Sequence, residues 1–372
     1  MEITVSRSEL FKELTATQGV VERKTTIPIL SNLLFEANGE SLNITATDLD
    51  LSLRTACKAK VKKEGACTVP ARKLFDYVKL LPDGEMSLKL QDNHWVQVRC
   101  GRSNTKMVGM ARANFPAVPA FPEAMAMKIP SAMLKKMIAS TIFAISMEES
   151  RYTLNGALLV IKAESMTMVA TDGHRLAHIE NTEAKFSGVS GENKTLVPRK
   201  AMAELGSLLN ETEEPFVHFA KDESTLFFKV GDRILTSRQL TGQFPNYEAV
   251  LPRENNKSIS VDGAQLSTAL QRVAQFADER SGAVRMKIEK DELRISASSQ
   301  ESGESEDSLE TKYDGDAVTI GFNSVYMLDF LKATGAGSVL LEFKDSQSAG
   351  QMRPAEAPEG YKYRYVVMPM RI

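Results

Sequence analysis

The segment MTMVATDGHRLA, residues 166–177, reads as a strand that turns sharply at Asp172-Gly173. The same pattern stands near the N-terminus as SLNITATDLDLSL, residues 41–53, and in degraded form as ELRISASSQESGE, residues 292–304. The copies lie roughly 125 residues apart in a chain close to three times that length, so one domain is written three times. Function is then to be sought first in what three like domains build together.

Composition fits that organisation. The chain has 372 residues, 42% of them hydrophobic and 25% charged, enough for two or three domains with separate cores. Net charge is −2, so contact with nucleic acid has to come from local segregation of charge and not from bulk basicity. Cys57, Cys67 and Cys100 are odd in number and spaced unlike a zinc knuckle, which predicts reduced thiols in a reducing cytosol. The start, MEITVSRSEL, lacks a basic-then-apolar leader, and no apolar run reaches membrane-spanning length. A cytoplasmic protein with no membrane partner is expected.

Each repeat reads as helix, strands, helix, strands. Ser6 and Glu9 suggest a capping box for a first helix with Leu10, Phe11, Leu14 and Val21 on its apolar face. Strands follow at 29–36, 42–47 and 49–57, and Val69-Pro70-Ala71 leads into a helix over 72–81. In the second repeat, Leu134, Met137, Ile138, Thr141, Ile142 and Ile145 mark one helix, and Val197-Pro198-Arg199-Lys200 opens another. The third has helices over about 262–277 and up to about Lys332, with Leu266, Leu270, Val273 and Phe276 inward in the first. Residues 114–127 and 244–253 read as linkers, and 351–360 as a loop. Short turns between strands make the sheets antiparallel and the class α+β.

The helices carry much of the positive charge: Arg7, Lys12, Arg72, Lys73 and Lys79, then Lys135, Lys136, Arg199 and Lys200, then Arg272, Arg280 and Lys332. Lysines on the outer side of an amphipathic helix explain any one of these, but their recurrence in paired helices predicts a shared basic surface. Such a surface meets phosphates without reading bases. The acidic excess gathers at Glu301, Glu304, Glu306, Asp307 and Glu310.

Asp172 and His174 form the segment that most resembles a catalytic or metal site, and a metal-dependent hydrolase is the alternative reading. The first copy, Thr47-Asp48-Leu49-Asp50, has no histidine, so a turn whose carboxylate accepts backbone N–H groups explains the repeat better. GVSGENKT, residues 188–195, lacks the glycine and leading strand of a phosphate loop. No catalytic residue, metal or cofactor is expected.

Specific segments carry a family resemblance: Pro28-Ile29-Leu30, Ala46-Thr47-Asp48-Leu49, Val69 to Lys73, Arg151-Tyr152, Leu154-Asn155-Gly156, residues 170–177, Val197 to Lys200, Phe244-Pro245, Val250-Leu251-Pro252 and the tail YVVMPMRI. They span the chain, which resembles the bacterial sliding clamp, the beta subunit of the replicative DNA polymerase III holoenzyme. The resemblance implies three clamp domains (1–124, 125–251 and 252–372) and a head-to-tail homodimeric ring around double-stranded DNA, held without sequence specificity. It implies as partners the polymerase III catalytic subunit, the clamp loader, other polymerases, ligase and mismatch-repair proteins, several docking through a short linear peptide.

The implied peptide cleft is Leu154, Thr171, Gly173, His174, Arg175, Leu176, Pro245, Val250, Ser346, Val366, Val367, Met368, Pro369, Met370 and Arg371. Methionines there suit varied peptides. Ile372, Thr153 and Ala249 depart from the family pattern, the last two at positions that bear on peptide preference or a DNA contact. For DNA the resemblance implies Lys24, Arg72, Arg199 and Lys200, and the charge pattern adds Arg23 and Lys136. For the seam between copies, Arg99, Arg102 and Lys106 are set against Glu301, Glu304 and Glu306. Lys73 is added, with Met107 against Phe276 as an apolar centre.

Overall fold

The computed structural model describes residues 1–22, 25–335 and 337–371. Among them are six α-helices: α1 (Arg7–Thr17), α2 (Ala71–Leu80), α3 (Ser131–Thr141), α4 (Arg199–Asn210), α5 (Gly263–Ala274) and α6 (Ser324–Thr334). The chain divides into two compact units, Met1–Lys135 with Lys200–Gln239, and Lys136–Arg199 with Leu240–Ile372. The middle repeat is shared between them.

In the first unit, an eight-stranded sheet runs Met127–Pro130, Phe216–Lys221, Thr225–Val230, Arg233–Arg238, Leu51–Lys58, Ser41–Thr47, Asn32–Asn38, Gly65–Pro70. The second unit has its counterpart: Asn193–Pro198, Gly156–Lys162, Ser165–Thr171, Arg175–Asn181, Tyr361–Val367, Gly350–Pro354, Ser338–Phe343, Lys257–Asp262. Each is therefore built from strands of two repeats, joined where Ile234 lies opposite Arg54 and where His178 lies opposite Arg364. Two smaller sheets complete the units. One runs Lys60–Lys63, Glu2–Ser6, Glu85–Leu90, Trp95–Cys100, Ser103–Val108, and the other Gly303–Glu310, Glu292–Ser299, Ala283–Glu289, Val318–Asn323. All named pairings are antiparallel, as the short turns require.

Hairpin register aligns the repeats residue by residue: Leu34 opposite Thr45, Leu158 opposite Val169 and Arg285 opposite Ser296 are equivalent pairs. One sheet face is packed with Leu159, Ile161, Met168, Ala170, Ala177 and Ile179 in the second repeat, all buried. By strand alternation the other face carries Leu158, Val160 and Val169.

Several local readings change. Ser6 does not cap α1: its hydroxyl lies 2.9 Å from that of Ser8, and the Arg7 N–H donates to Gly84 O at 2.9 Å instead. The helix ends at Thr17, so Val21 lies beyond it. True side-chain caps occur at Asp262, accepting from Gln265 N, and at Asn323, accepting from Val325 N and Tyr326 N. α5 stops at Ala274 and leaves Phe276 in the following turn. The acidic stretch is a strand, Gly303–Glu310, and Gly350–Pro354 is a strand overlapping what reads as a loop, since each finds a strand to pair with, Glu292–Ser299 for the first and Ser338–Phe343 for the second. The linker after Asn114 carries a short 3-10 turn at Glu123–Met125.

Candidate functional site: a peptide cleft, a basic helix face and two open sheet edges

The repeated Thr-Asp is a turn. Asp172 Oδ1 accepts from the N–H groups of His174 and Arg175 at 2.9 and 3.0 Å, and Oδ2 from Arg175 Nε at 3.0 Å. Thr171 Oγ1 accepts from Gly173 N at 3.1 Å. The first copy repeats this, with Asp48 Oδ1 accepting from Asp50 N and Leu51 N and Thr47 Oγ1 from Leu49 N. The geometry needs a left-handed residue, supplied by Gly173 (φ +90°) in one copy and by Leu49 (φ +84°) in the other. A carboxylate so engaged holds the backbone and is not poised as a base.

The turn borders an apolar floor. Leu158, Val160, Val169, Leu176, Leu196, Phe244 and Val366 form one buried cluster, over which Leu154, Leu240, Tyr247, Leu251 and Ala349 pack. Val250 and Met368 stand exposed beside it, with Tyr152 and Met147 more exposed still. The tail is pinned along this edge, Met368 N donating to His174 O at 2.9 Å and Met370 N to Gly321 O at 2.8 Å. Val250, Leu251, Pro252, Ser348 and Ala349 also line an adjoining cavity of about 590 Å³. Exposed apolar side chains around a prebuilt apolar floor suit an apolar peptide anchor.

Internal comparison shows that this floor is particular to the second repeat. The positions of Val160, Val169, Leu176, Leu196 and Val366 are filled in the first by Glu36, Thr45, Ser52, Thr68 and Thr236. Arg112 pairs with Glu36 there at 2.7 Å. In the third repeat the floor positions of Leu158, Val160, Val169, Leu176 and Leu196 are Arg285, Lys287, Ser296, Glu304 and Gly321.

Four expected cleft residues are placed differently, and one of them, Arg371, lines a cavity over the third repeat's sheet instead. Val367 is buried, but strand alternation turns it away from Val366 to the opposite face. The Arg175 guanidinium is directed inward, donating to Asp329 Oδ2 at 2.6 Å and Phe143 O at 2.5 Å and stacking on the Tyr326 ring at 4.3 Å. Burial opposes its charge, but Tyr365, Asp329 and Asp172 more than reverse this and hold its pKa up. Ser346 sits in the bend where Gln347 N and Ser348 N donate to Asp345, with no described contact to the floor. On the floor face beside Val169, His178 is buried with Nδ1 unpaired, its ring 5.7 Å from that of Tyr247. Burial, then the Arg364 charge, pushes its pKa down to about 4. Nothing in the sequence singled out His178 or Tyr247, because their roles depend on which strands meet.

Of the basic residues, Arg23 and Lys24 lie outside the described residues. Arg72, near the start of α2, is exposed and 3.7 Å from Asp76, and Arg199 is exposed at the start of α4. Lys200 is ion-paired with Asp48 and lies 3.8 Å from Glu22. Lys136 stands over the Tyr361 ring at 4.1 Å, and burial lowers its pKa.

Two strand edges stand open. Ser103–Val108 and Gly303–Glu310 each end a sheet, whereas their equivalents in the other repeats are paired: Arg233–Arg238 with Leu51–Lys58, and Tyr361–Val367 with Arg175–Asn181. The first open edge exposes Lys106 beside Arg99 and Arg102, and the second exposes Glu304, Glu306 and Glu310 with Glu301 in the turn before it. Met107 is already buried within its own chain, on the face opposite Lys106. α2 and α5 are open in the same sense. Leu80 is 84% exposed where α4 has Leu208 at 3%, and Phe276 is half-buried where the first repeat has the fully buried Val20. Half-buried Tyr77 and exposed Leu80 and Lys73 were legible only in part, since exposure is not written in a helical pattern.

Family models describe the same three parts. Residues 1–119 match the N-terminal, 128–246 the central and 248–371 the C-terminal domain of the DNA polymerase III beta subunit. The beta sliding clamp of Pseudomonas aeruginosa is 34% identical over the whole of both chains, and that of Escherichia coli 33%. A crystal structure of the P. aeruginosa polymerase III subunit beta covers both chains fully with a TM-score of 0.92 at 34% identity. The Bartonella birtlesii sliding clamp bound to griselimycin likewise covers both chains, with a TM-score of 0.94 at 35%. With all three parts matched by family models and its full length matched by these relatives, the chain belongs to the DNA polymerase III beta subunit family, the beta sliding clamps.

Proposed function

We propose that two copies of this chain close head to tail into a ring around duplex DNA and tether replication proteins to it, with no catalysis of their own. The observation that carries the reading is the pair of open edges, whose equivalents are already paired in both junctions within the chain. Transferring the junction register gives the seam: Lys106 faces Glu304 of the second copy, Asn104 faces Glu306, and Ser103 faces Asp307. Opposite charges directly across a ladder favour that register. Asp307, which Arg272 already engages, joins the expected seam residues. Lys73, Tyr77 and Leu80 of α2 then cover Phe276 of the neighbour, just as Glu204 of α4 lies against Gly19 beside Val20. The apolar centre is Leu80, Tyr77 and Phe276 and not Met107.

Such a ring holds DNA by topology, so weak contacts from Arg72, Lys136, Arg199 and the paired Lys200 suffice. Arg23 and Lys24 belong to the same set on the resemblance. Domains at 1–124, 125–251 and 252–372 give each repeat two helices, with strands that run into the sheets shared at the junctions. The cleft of Leu154, Thr171, Gly173, His174, Leu176, Pro245, Val250, Val366, Met368, Pro369 and Met370 receives a short linear peptide. Its users are the polymerase III catalytic subunit, the clamp loader, other polymerases, ligase and mismatch-repair proteins. Such work places the protein at the nucleoid in the cytoplasm.

The test is retention on nicked circular DNA after loading with the cognate loader and ATP. Circles isolated in high salt should keep the protein, and linearised DNA should lose it. Loss from both in salt would mean ordinary electrostatic binding and would remove the ring.

A further inference from the structure

The third repeat carries its own outward groove, unlike the apolar cleft. A cavity of about 770 Å³ lies over the sheet face, and its lining includes Arg285, Ser296, Glu304, Glu306 and Arg371, with Asp278, whose Oδ1 accepts from the N–H groups of Arg280 and Ser281. Arg285 holds the position of Leu158 and Glu304 that of Leu176, so this cavity is the third repeat's equivalent of the peptide cleft with its floor rewritten in charge. Neither Arg285 nor Arg371 forms an ion pair with another described residue, whereas Glu306 is engaged by Arg294 at 3.7 Å. On the other open edge, Lys89, Trp95 and Lys106 line a second cavity of about 620 Å³ on the corresponding face.

In the seam register these two half-grooves meet. One cross-strand row would read Ser298, Glu304, then Lys106, Gln97 and Lys89 of the second copy, and the next Arg285, Ser296, Glu306, then Asn104 and Arg99. Glu304 is neutralised by Lys106, and Glu306 by Arg294. Arg285, Arg371 and Arg99 remain as cations without a side-chain ion pair among the described residues, in excess over the lining carboxylates Asp278 and Asp92, with serine hydroxyls between them and the Trp95 ring at one end.

We propose that the closed seam forms a second docking groove, made by both copies, which binds an acidic linear peptide with an apolar residue. Resting on the head-to-tail reading, it differs from the apolar cleft in needing the closed ring. A partner bound there recognises closure and, by linkage, favours it. The charge of the groove selects its occupant: carboxylates meet Arg285, Arg371 and Arg99, and the apolar side chain covers Trp95.

The test uses a rhodamine-labelled, capped hexapeptide of alternating glutamate and leucine, with a glutamine-for-glutamate version as control. Binding is followed by anisotropy while the full-length protein is diluted through dimer dissociation, which sedimentation measures in parallel. The acidic peptide should bind in proportion to the dimer, and the control should bind at least about fivefold more weakly. Arg285→Glu should give a similar loss while leaving the dimer and apolar-cleft binding intact. A chain that never dimerises overturns the ring and this groove together. A dimer to which the acidic peptide binds no better than the control, or with undiminished affinity in Arg285→Glu, overturns the groove alone, as does equal binding to monomer.

Discussion

Arg175 shows how a residue in a recognisable motif can do something other than what the motif suggests. Its side chain is only 10% exposed and ties the second repeat's turn to Asp329 of α6 in the third. Arg175→Ala should leave Asp329 and the Phe143 carbonyl unpaired and cost about 3–5 kcal/mol, the range for breaking a buried pair from one side. Chemical denaturation reads this directly, and a loss confined to peptide affinity would restore Arg175 to the cleft wall. His178 makes a second prediction. Its folded pKa of about 4 lies below the ordinary value near 6.5, with Arg364 and Lys362 facing it, Glu180 on its own strand and Tyr247 above. Between those values the unfolded chain takes up a proton that the folded chain refuses. Stability therefore falls as pH drops through the window, by up to about 3 kcal/mol. Denaturation at pH 7 and pH 4.5 should show a smaller acid loss in His178→Leu than in the parent, and equal losses would acquit His178.

At the scale of elements, sheet edges decide what the chain can join. A long strand with unpaired N–H and C=O groups invites a partner, and opposite charges on the two open edges restrict which. Lys106→Glu would place like charges across the seam and should weaken the dimer by about tenfold. Adding Glu304→Lys should recover most of the loss. Sedimentation equilibrium checks both, and a double variant as weak as the single would mean that the register is wrong. Much of this level was legible: six helices stand close to where apolar spacing and the Val-Pro entries place them. The third-repeat strand Gly303–Glu310 was not. With glutamates at alternate positions and few apolar residues, nothing local distinguishes it from a solvated loop, and its ladder with Glu292–Ser299 makes the difference. Strand Gly350–Pro354 was hidden likewise, by a proline at its end.

At the scale of the whole molecule, the two junctions within the chain and the seam are one design with unequal fastening. Between the first and second repeats, buried Arg233 donates from Nε and Nη2 to both oxygens of Glu13, at 2.9 and 3.1 Å. Thr55 donates to Glu13 as well. At the same place between the second and third, the buried Tyr363 hydroxyl donates to Ser140 O at 2.8 Å. The corresponding seam positions are Ala269 and Ser103, which carry neither device. In the proposed ring, the seam is then the junction expected to open. Arg233→Ala should destabilise the first unit by about 3–5 kcal/mol by stranding Glu13, yet leave dimer dissociation unchanged. An equal rise in dissociation would show that the junctions are not independent.

Repeat number, fold class and the Thr-Asp turns followed from the amino-acid order alone, because spacing and turn chemistry are local and recur. The outward apolar floor, the inward course of Arg175, the isolation of His178 and the identity of the open edges awaited the tertiary structure. Each depends on which strand lies beside which, and strand pairing is settled by hydrogen bonds between segments that may be hundreds of residues apart.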